Sequence, residues 1–158
     1  MSTVYPIYLH QTSTLVAVVV GGGRVGQRKV TGLLAAGARV RLVSPSATPH
    51  LQELAAAGQF EWLPRPYQTG DLAGALLAFA ATNERAVNAQ VALDARAAHI
   101  LCNVADAPDE GDFHVPAVHR QGDLTIAVGT GGRSPTRARR VRDLIAEWLA
   151  AWLSNSIQ

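Results

Sequence analysis

The sequence predicts an α/β fold, a doubly wound parallel sheet followed by a small α+β module, and three observations carry that expectation. An apolar, β-branched run from Leu15 to Val20 enters a glycine-rich turn and then an amphipathic stretch from Val25 to Ala36. Short apolar runs then alternate with helical ones as far as residue 112, as βαβ units do. Beyond that point two strand-like runs and one long amphipathic helix replace the alternation.

The first strand ends in Gly21-Gly-Gly-Arg-Val-Gly26, a Gly-x-Gly-x-x-Gly arrangement. Gly21 permits the tight turn, Gly23 lets the backbone approach a pyrophosphate, and Gly26 lets helix and strand pack closely, so an anion can sit on the unpaired N–H groups of the helix N-terminus. Gly22, Arg24 and Val25 complete this candidate dinucleotide-binding turn. A merely tight strand–helix connection is the alternative. Val40 to Val43 is the second strand, Pro49 to Ala57 a helix stopped by Gly58, and Phe60 to Leu63 the third strand. Ala75 to Ala81 is apolar throughout, as a strand covered on both faces is. Asn83 is in place to cap a helix from Glu84 to Ala97, and His99 to Asn103 is the fifth strand. Residues 1–112 therefore read as a Rossmann-like nucleotide-binding domain.

Residues 113–158 read as a separate module. Phe113 to Val118 and Leu124 to Val128 flank Arg120-Gln-Gly-Asp123, a hairpin connection. Ser134 followed by Pro135 is a helix N-cap with proline at the first helical position. Val141, Leu144, Ile145, Trp148, Leu149 and Trp152 then form one apolar stripe at helical spacing. Two tryptophans there need a partner surface, either the hairpin or a second subunit.

Composition narrows the classes. With 48% hydrophobic and 16% charged residues the chain has the makings of a core rather than of a disordered segment. The N-terminus lacks a basic segment followed by a long apolar one, and no run approaches the roughly 20 residues of a membrane span, so neither leader nor membrane is expected and the cytoplasm is the default location. The single cysteine, Cys102, excludes a disulfide framework within the chain and packs inside the fifth strand. Residues 1–112 hold eight Lys/Arg and nine Asp/Glu, whereas 113–158 hold six Arg and three Asp/Glu, so the second module is the basic part. Five arginines fall between Arg133 and Arg142. Guanidinium groups suit carboxylates and phosphates. The stripe is narrow and the net charge only +2, so nucleic acid is not the expected partner.

In open α/β sheets ligands bind outside the carboxyl ends of the strands. That rule selects the glycines, Ser44-Pro45-Ser46 after strand two, Thr82-Asn83 after strand four, and Asn103-Val-Ala-Asp106 after strand five. Ser44 stands where an acidic residue would grip an adenine ribose, and Arg24, Arg39 and Arg41 leave a 2′-phosphate conceivable, so the pattern alone leaves NAD and NADP both open. Asp106 is the proton-handling candidate, its alternative being a turn former before Ala107-Pro108. His114 and His119, five apart on an alternating strand, point to opposite faces and are not expected to share a metal.

Five blocks in order, Gly21-Gly-Gly-Arg-Val-Gly-Gln-Arg-Lys29, Ala36-Gly-Ala-Arg-Val40, Ala80-Ala-Thr-Asn83, Cys102-Asn-Val-Ala-Asp-Ala-Pro108 and Gly131-Gly-Arg-Ser-Pro135, resemble the precorrin-2 dehydrogenase and sirohydrochlorin ferrochelatase family, the N-terminal part of siroheme synthase. The resemblance runs from about residue 5 to 150. It implies NAD-dependent oxidation of precorrin-2 to sirohydrochlorin, a homodimer built through the second module, and, in bifunctional relatives, insertion of Fe2+ as a substrate metal. By position Asp106 looks like the catalytic aspartate. The glycine turn with Arg24, Val25, Ser44, Pro45, Ser46, Thr82, Asn83 and Asn103 looks like the cofactor site. The resemblance also assigns His114, Thr130, Arg133, Arg137 and Arg140 to the polycarboxylate substrate. Gly26 stands where relatives often carry Ala, a change expected to preserve the turn. The sequence ends soon after the tryptophan helix, so neither the methyltransferase domain of siroheme synthases nor a full additional helical domain is expected in it. A non-catalytic nucleotide- or tetrapyrrole-binding module is the competing reading.

Overall fold

Five parallel strands in the order β3-β2-β1-β4-β5 make the larger sheet: β1 (Val16–Gly22), β2 (Arg39–Ala47), β3 (Glu61–Leu63), β4 (Leu77–Ala80) and β5 (Leu101–Val104). Three helices alternate with them, α1 (Arg24–Ala35), α2 (Pro49–Ala56) and α3 (Arg85–Ala97). The computed structural model describes residues 4–155. In it Ile7–Phe113 forms one unit, and the segment from His114 onward groups with the N-terminal residues through Pro6 as the other.

Strand alternation builds two apolar layers. Ala17 and Val19 of β1 face one way with Val40, Leu42, Leu77 and Phe79, and pack with Val30 of α1 and Leu51 of α2. Val18 and Val20 face the other way with Val43, Ala78, Ala80, Cys102 and Val104, and pack with Val91 and Ala95 of α3. Because both faces are covered, the strands read as continuous apolar runs. At roughly 1.5–3 kcal/mol per fully buried Val or Leu, against about 1 kcal/mol for a typical hydrogen bond, these layers dominate the stability of the unit and give its loops a rigid base. The chain builds outward from β1 through β2 to β3, then crosses to β4 on the other side. The strand order therefore reverses between β1 and β4, and the crevice outside their carboxyl ends is the topological switch point.

Several boundaries differ from the sequence expectation. β2 continues through Pro45 to Ala47, which pairs with Gly22 across a register shift, so Ser44-Pro45-Ser46 lies within the strand rather than after it. Asn83 does not cap α3. Glu84 occupies the N-cap position, and the Thr82 hydroxyl accepts the Glu84 N–H at 3.1 Å. After β5 the chain turns back along the outer edge of that strand. The Asp112 N–H donates to the Cys102 carbonyl at 2.7 Å, the Cys102 N–H donates to the Asp112 carboxylate at 2.9 Å, and the Asn103 amide donates to the Phe113 carbonyl at 2.9 Å. The Phe113 ring meets Phe79 edge-on.

The smaller unit has an antiparallel hairpin, β6 (Ala117–Gln121) and β7 (Leu124–Val128), and the helix α4 (Pro135–Asn155) packed on both strands. Gly122, the first of two turn residues, has φ 59°, the conformation a type II′ hairpin requires there. The strand starts at Ala117 rather than Phe113, because Pro116 has no N–H to give a ladder and the Phe113 carbonyl is taken by Asn103. His114 therefore lies outside the strand, and the alternation argument does not apply to it. The apolar positions of α4 also split into two rows. Ala138, Ile145 and Leu149 form the more buried row, whereas Val141, Leu144, Trp148 and Trp152 are exposed.

Candidate functional site

The glycine turn leaves the end of β1 against its neighbours with no room to spare. Gly21, at φ 115°, lies so close to the Ala81 backbone at the end of β4 that a side chain would overlap it. Gly22 is turned toward β2. Its N–H donates to the Ser44 hydroxyl at 2.9 Å, and a methyl group there would run into Ser46 and Ala47. A methyl on Gly26 would overlap the Gly21 carbonyl oxygen, so alanine does not fit there without a backbone shift, contrary to the sequence expectation. Gly23 is different, since no atom lies within 4 Å of where its Cβ would stand. It is the N-cap of α1, and the N–H groups of Arg24, Val25 and Gly26 behind it have no acceptor within the helix. No acidic residue sits in that first turn. Open space, free N–H groups, the positive helix end and the exposed Arg24 guanidinium together fit a dinucleotide pyrophosphate.

The residues expected around this turn separate on inspection. Ser44 is buried and its hydroxyl is engaged with Gly22, while Pro45 and Ser46 are exposed. The Ser44 carbonyl accepts the Trp62 indole N–H at 3.0 Å. Arg39 begins β2, at the amino end of the sheet. Arg41 is committed to Glu61 at 2.7 Å and to the Asp71 carbonyl at 3.2 Å. Of the three arginines considered for a 2′-phosphate, Arg24 alone belongs to the carboxyl edge.

A second cluster lies at the carboxyl ends of β4 and β5. Asn88 of α3 is fully buried, and its amide oxygen accepts the Thr82 N–H at 3.1 Å and the Thr82 hydroxyl at 2.7 Å. Its amide nitrogen donates to the Thr82 carbonyl at 3.0 Å and to Asp106 Oδ1 at 2.9 Å. Arg85 Nη1 stands 3.7 Å from Asp106 Oδ2, and its Nη2 pairs with Glu110, whose carboxylate holds the guanidinium pKa above its ordinary value. The Asp106 side chain remains 35% accessible. Sequence reasoning named Thr82 and Asp106 but missed Asn88 and Arg85. Asn83 is exposed, and Asn103 is buried with its amide spent on Phe113.

Lys29, the one lysine of the chain, lies on α1 with its ammonium 5.4 Å from the centre of the Phe79 ring. Burial, with the neighbouring Arg28 charge, lowers its pKa to about 8. Burial likewise pushes the Cys102 thiol up to about 11, so this cysteine is an inert packing residue.

In the smaller unit the Thr130 hydroxyl accepts the Ser134 N–H at 3.0 Å and the Ser134 hydroxyl accepts the Arg137 N–H at 3.2 Å, which caps α4. The His114 ring lies against Gly132, whose φ is 77°. Arg133, Arg137 and Arg140 are exposed and make no side-chain ion pair among the described residues. His119 pairs across the hairpin with Ile126. Among the described residues, no three His, Cys, Asp or Glu side chains converge as a metal site.

A family model described as "Putative NAD(P)-binding" matches residues 8–117, and one described as "Sirohaem biosynthesis protein central" matches residues 121–147. The siroheme synthase of Chromobacterium violaceum is 43% identical over 141 residues, which cover 87% of this chain and 29% of that protein. Siroheme synthase 3 of Aeromonas hydrophila subsp. hydrophila is 42% identical over 125 residues, covering 79% of this chain and 27% of that protein. This chain thus spans under a third of the length of these curated relatives. A solved structure, "SirC, precorrin-2 dehydrogenase", superposes with a TM-score of 0.78 at 28% identity, covering 91% of this chain and 70% of that one. The Rossmann-like order of the five strands, the glycine turn and these matches together make the chain a member of the NAD(P)-binding family in the form that siroheme synthases carry.

Proposed function

We propose that this chain oxidises precorrin-2 to sirohydrochlorin with NAD, as a step of siroheme biosynthesis. The observation that carries this reading is the Asp106 carboxylate beyond the carboxyl end of β5, anchored by Asn88 through one oxygen with its side chain still partly accessible, in a chain whose solved relative is named precorrin-2 dehydrogenase.

The glycine turn, with the N–H groups of Arg24, Val25 and Gly26, holds the pyrophosphate, and the exposed Ser46 lies beside it at the end of β2. Ser44, Thr82 and Asn103 serve this pocket from behind, by fixing the strand ends on which it rests. When bound, NAD supplies a hydride acceptor. The oxidation also releases a proton from the macrocycle, and Asp106 accepts it, directly or through water. His114, Thr130, Arg133, Arg137 and Arg140 are assigned to the substrate, whose eight carboxylates suit guanidinium groups. The exposed row Leu144, Trp148 and Trp152 supports a homodimer, and the cytoplasm is the compartment assigned. Fe2+ enters this proposal as a substrate metal for the macrocycle after oxidation.

Anaerobic incubation of the purified protein with precorrin-2 and NAD, before any metal is added, tests the reading. Sirohydrochlorin absorbance appearing with equimolar NADH supports it, and added iron is then the next test. A folded protein that binds NAD and precorrin-2 without forming NADH is instead a binding module.

A further inference from the structure

We infer that Asn88 is a positioning residue for Asp106, an inference that rests on the proposed role of Asp106 as proton acceptor. A buried primary amide is costly unless its hydrogen-bonding capacity is filled, and Asn88 fills all of its capacity with two residues. Three of its four bonds go to Thr82, at the end of β4. These three also fix which way the amide points. The Thr82 N–H needs an acceptor and the Thr82 carbonyl needs a donor, so a flipped amide would set donor against donor and acceptor against acceptor. The fourth bond, the remaining N–H, is thereby aimed at Asp106 Oδ1 at 2.9 Å.

Thr82 and Asn88 both sit on packed elements. Thr82 follows β4 directly, and its hydroxyl also receives the Glu84 N–H, so the turn into α3 is tied to the same amide. Asn88 is one turn into α3, on the face that carries Val91 and Ala95 into the core. Asp106, by contrast, sits two residues beyond β5, just past Ala105, whose N–H makes the last main-chain bond to the Ala80 carbonyl at 2.9 Å. Arg85 reaches its other oxygen at the longer distance of 3.7 Å and is itself exposed, so the buried amide is the firm contact. Asn88 thus ties the Asp106 carboxylate to β4 and α3 through one oxygen, while the other faces Arg85.

The test uses Asn88→Asp, which keeps an oxygen for the Thr82 N–H and replaces the donor facing Asp106, together with Asn88→Ala, Asp106→Ala and the Asn88→Asp/Asp106→Ala pair. The single Asn88 variants are expected to lose on the order of 10- to 100-fold in kcat, with KM for precorrin-2 changed by less than about threefold. In the pair, the Asn88 change should cost nothing beyond Asp106→Ala, because there is no carboxylate left to aim. Full additivity of the two losses, or unchanged kcat in Asn88→Asp, overturns the inference while leaving the dehydrogenase reading in place. The side-chain amide of Asn88, followed by nitrogen–proton NMR, gives a readout without turnover: Asp106→Ala should shift one of its two protons and spare the other. Two unshifted protons overturn the inference, and a wild-type protein that forms no sirohydrochlorin overturns the reading and the role together.

Discussion

Gly26 rests its α-carbon against the carbonyl oxygen of Gly21, five residues back, and this contact sets how closely α1 approaches β1. A methyl group at Gly26 has backbone rather than a movable side chain in its way. Gly26→Ala is therefore expected to cost about 1–3 kcal/mol of stability, as overpacking does. The displaced turn should also weaken NAD binding by about tenfold or more, equivalent to roughly 1.4 kcal/mol. Urea unfolding and calorimetric titration measure the two effects, and wild-type values in both would show that the turn relaxes freely.

Lys29 gives the fold a pH dependence with a definite sign. Its ordinary pKa of 10.5 applies to the unfolded chain and falls to about 8 on folding. Between those values the unfolded chain binds more protons, so stability rises with pH across that window, and the full cost of burying the cation is felt below it. That cost is on the order of 1–3 kcal/mol after allowance for solvent screening and the Phe79 ring. Lys29→Met should raise the melting temperature at pH 7, and the gain should vanish as pH passes 10.5. An equal gain at both ends of the range would place its origin in packing.

Asp106→Ala should cut sirohydrochlorin formation by about 1,000-fold or more, to a residual rate, and leave the NAD dissociation constant within about twofold, since the cofactor is held by the glycine turn. Equal loss of NAD binding would make Asp106 a structural residue. Arg137→Ala and Arg140→Ala should instead raise KM for the polycarboxylate substrate with little change in kcat. Steady-state kinetics separate the two patterns.

The two rows of α4 predict opposite phenotypes. Trp148→Glu, in the exposed row, should halve the mass measured by light scattering while leaving the monomer folded. Leu149→Ala, in the buried row, should cost about 2–4 kcal/mol in unfolding experiments without first changing the mass. A Trp148→Glu protein of unchanged mass would remove the proposed homodimer from this face.

The sheet was legible in the sequence because burial on both faces turns the central strands β1 and β4 into apolar runs, and the glycine turn because its backbone demands leave few alternatives. Strand ends were harder. β2 runs on through Pro45 because a register shift lets Ala47 pair with Gly22, and nothing in residues 44–47 announces a shift made by the partner strand. The sequence offers Ser44 as a ligand contact but not that its hydroxyl also accepts the Gly22 N–H, a bond that exists only once β1 and β2 are side by side. Asn88 was missed although a signal was present. It falls three residues before Val91 and seven before Ala95, on the row that α3 buries, and a polar residue on such a row needs partners. Their identity, Thr82 and Asp106, depends on strand order, which periodicity does not report.

The return of the chain along β5 bears on how this molecule behaves at high concentration. By taking both backbone groups of Cys102, Asp112 occupies the hydrogen-bonding positions that a foreign strand would use to extend the sheet. The opposite border is β3, only three residues long. A five-stranded sheet whose central strands β1 and β4 are apolar thus offers little template for edge-to-edge aggregation. An Asp112→Ala protein, keeping the same core, should precipitate on storage long before its melting temperature gives any warning.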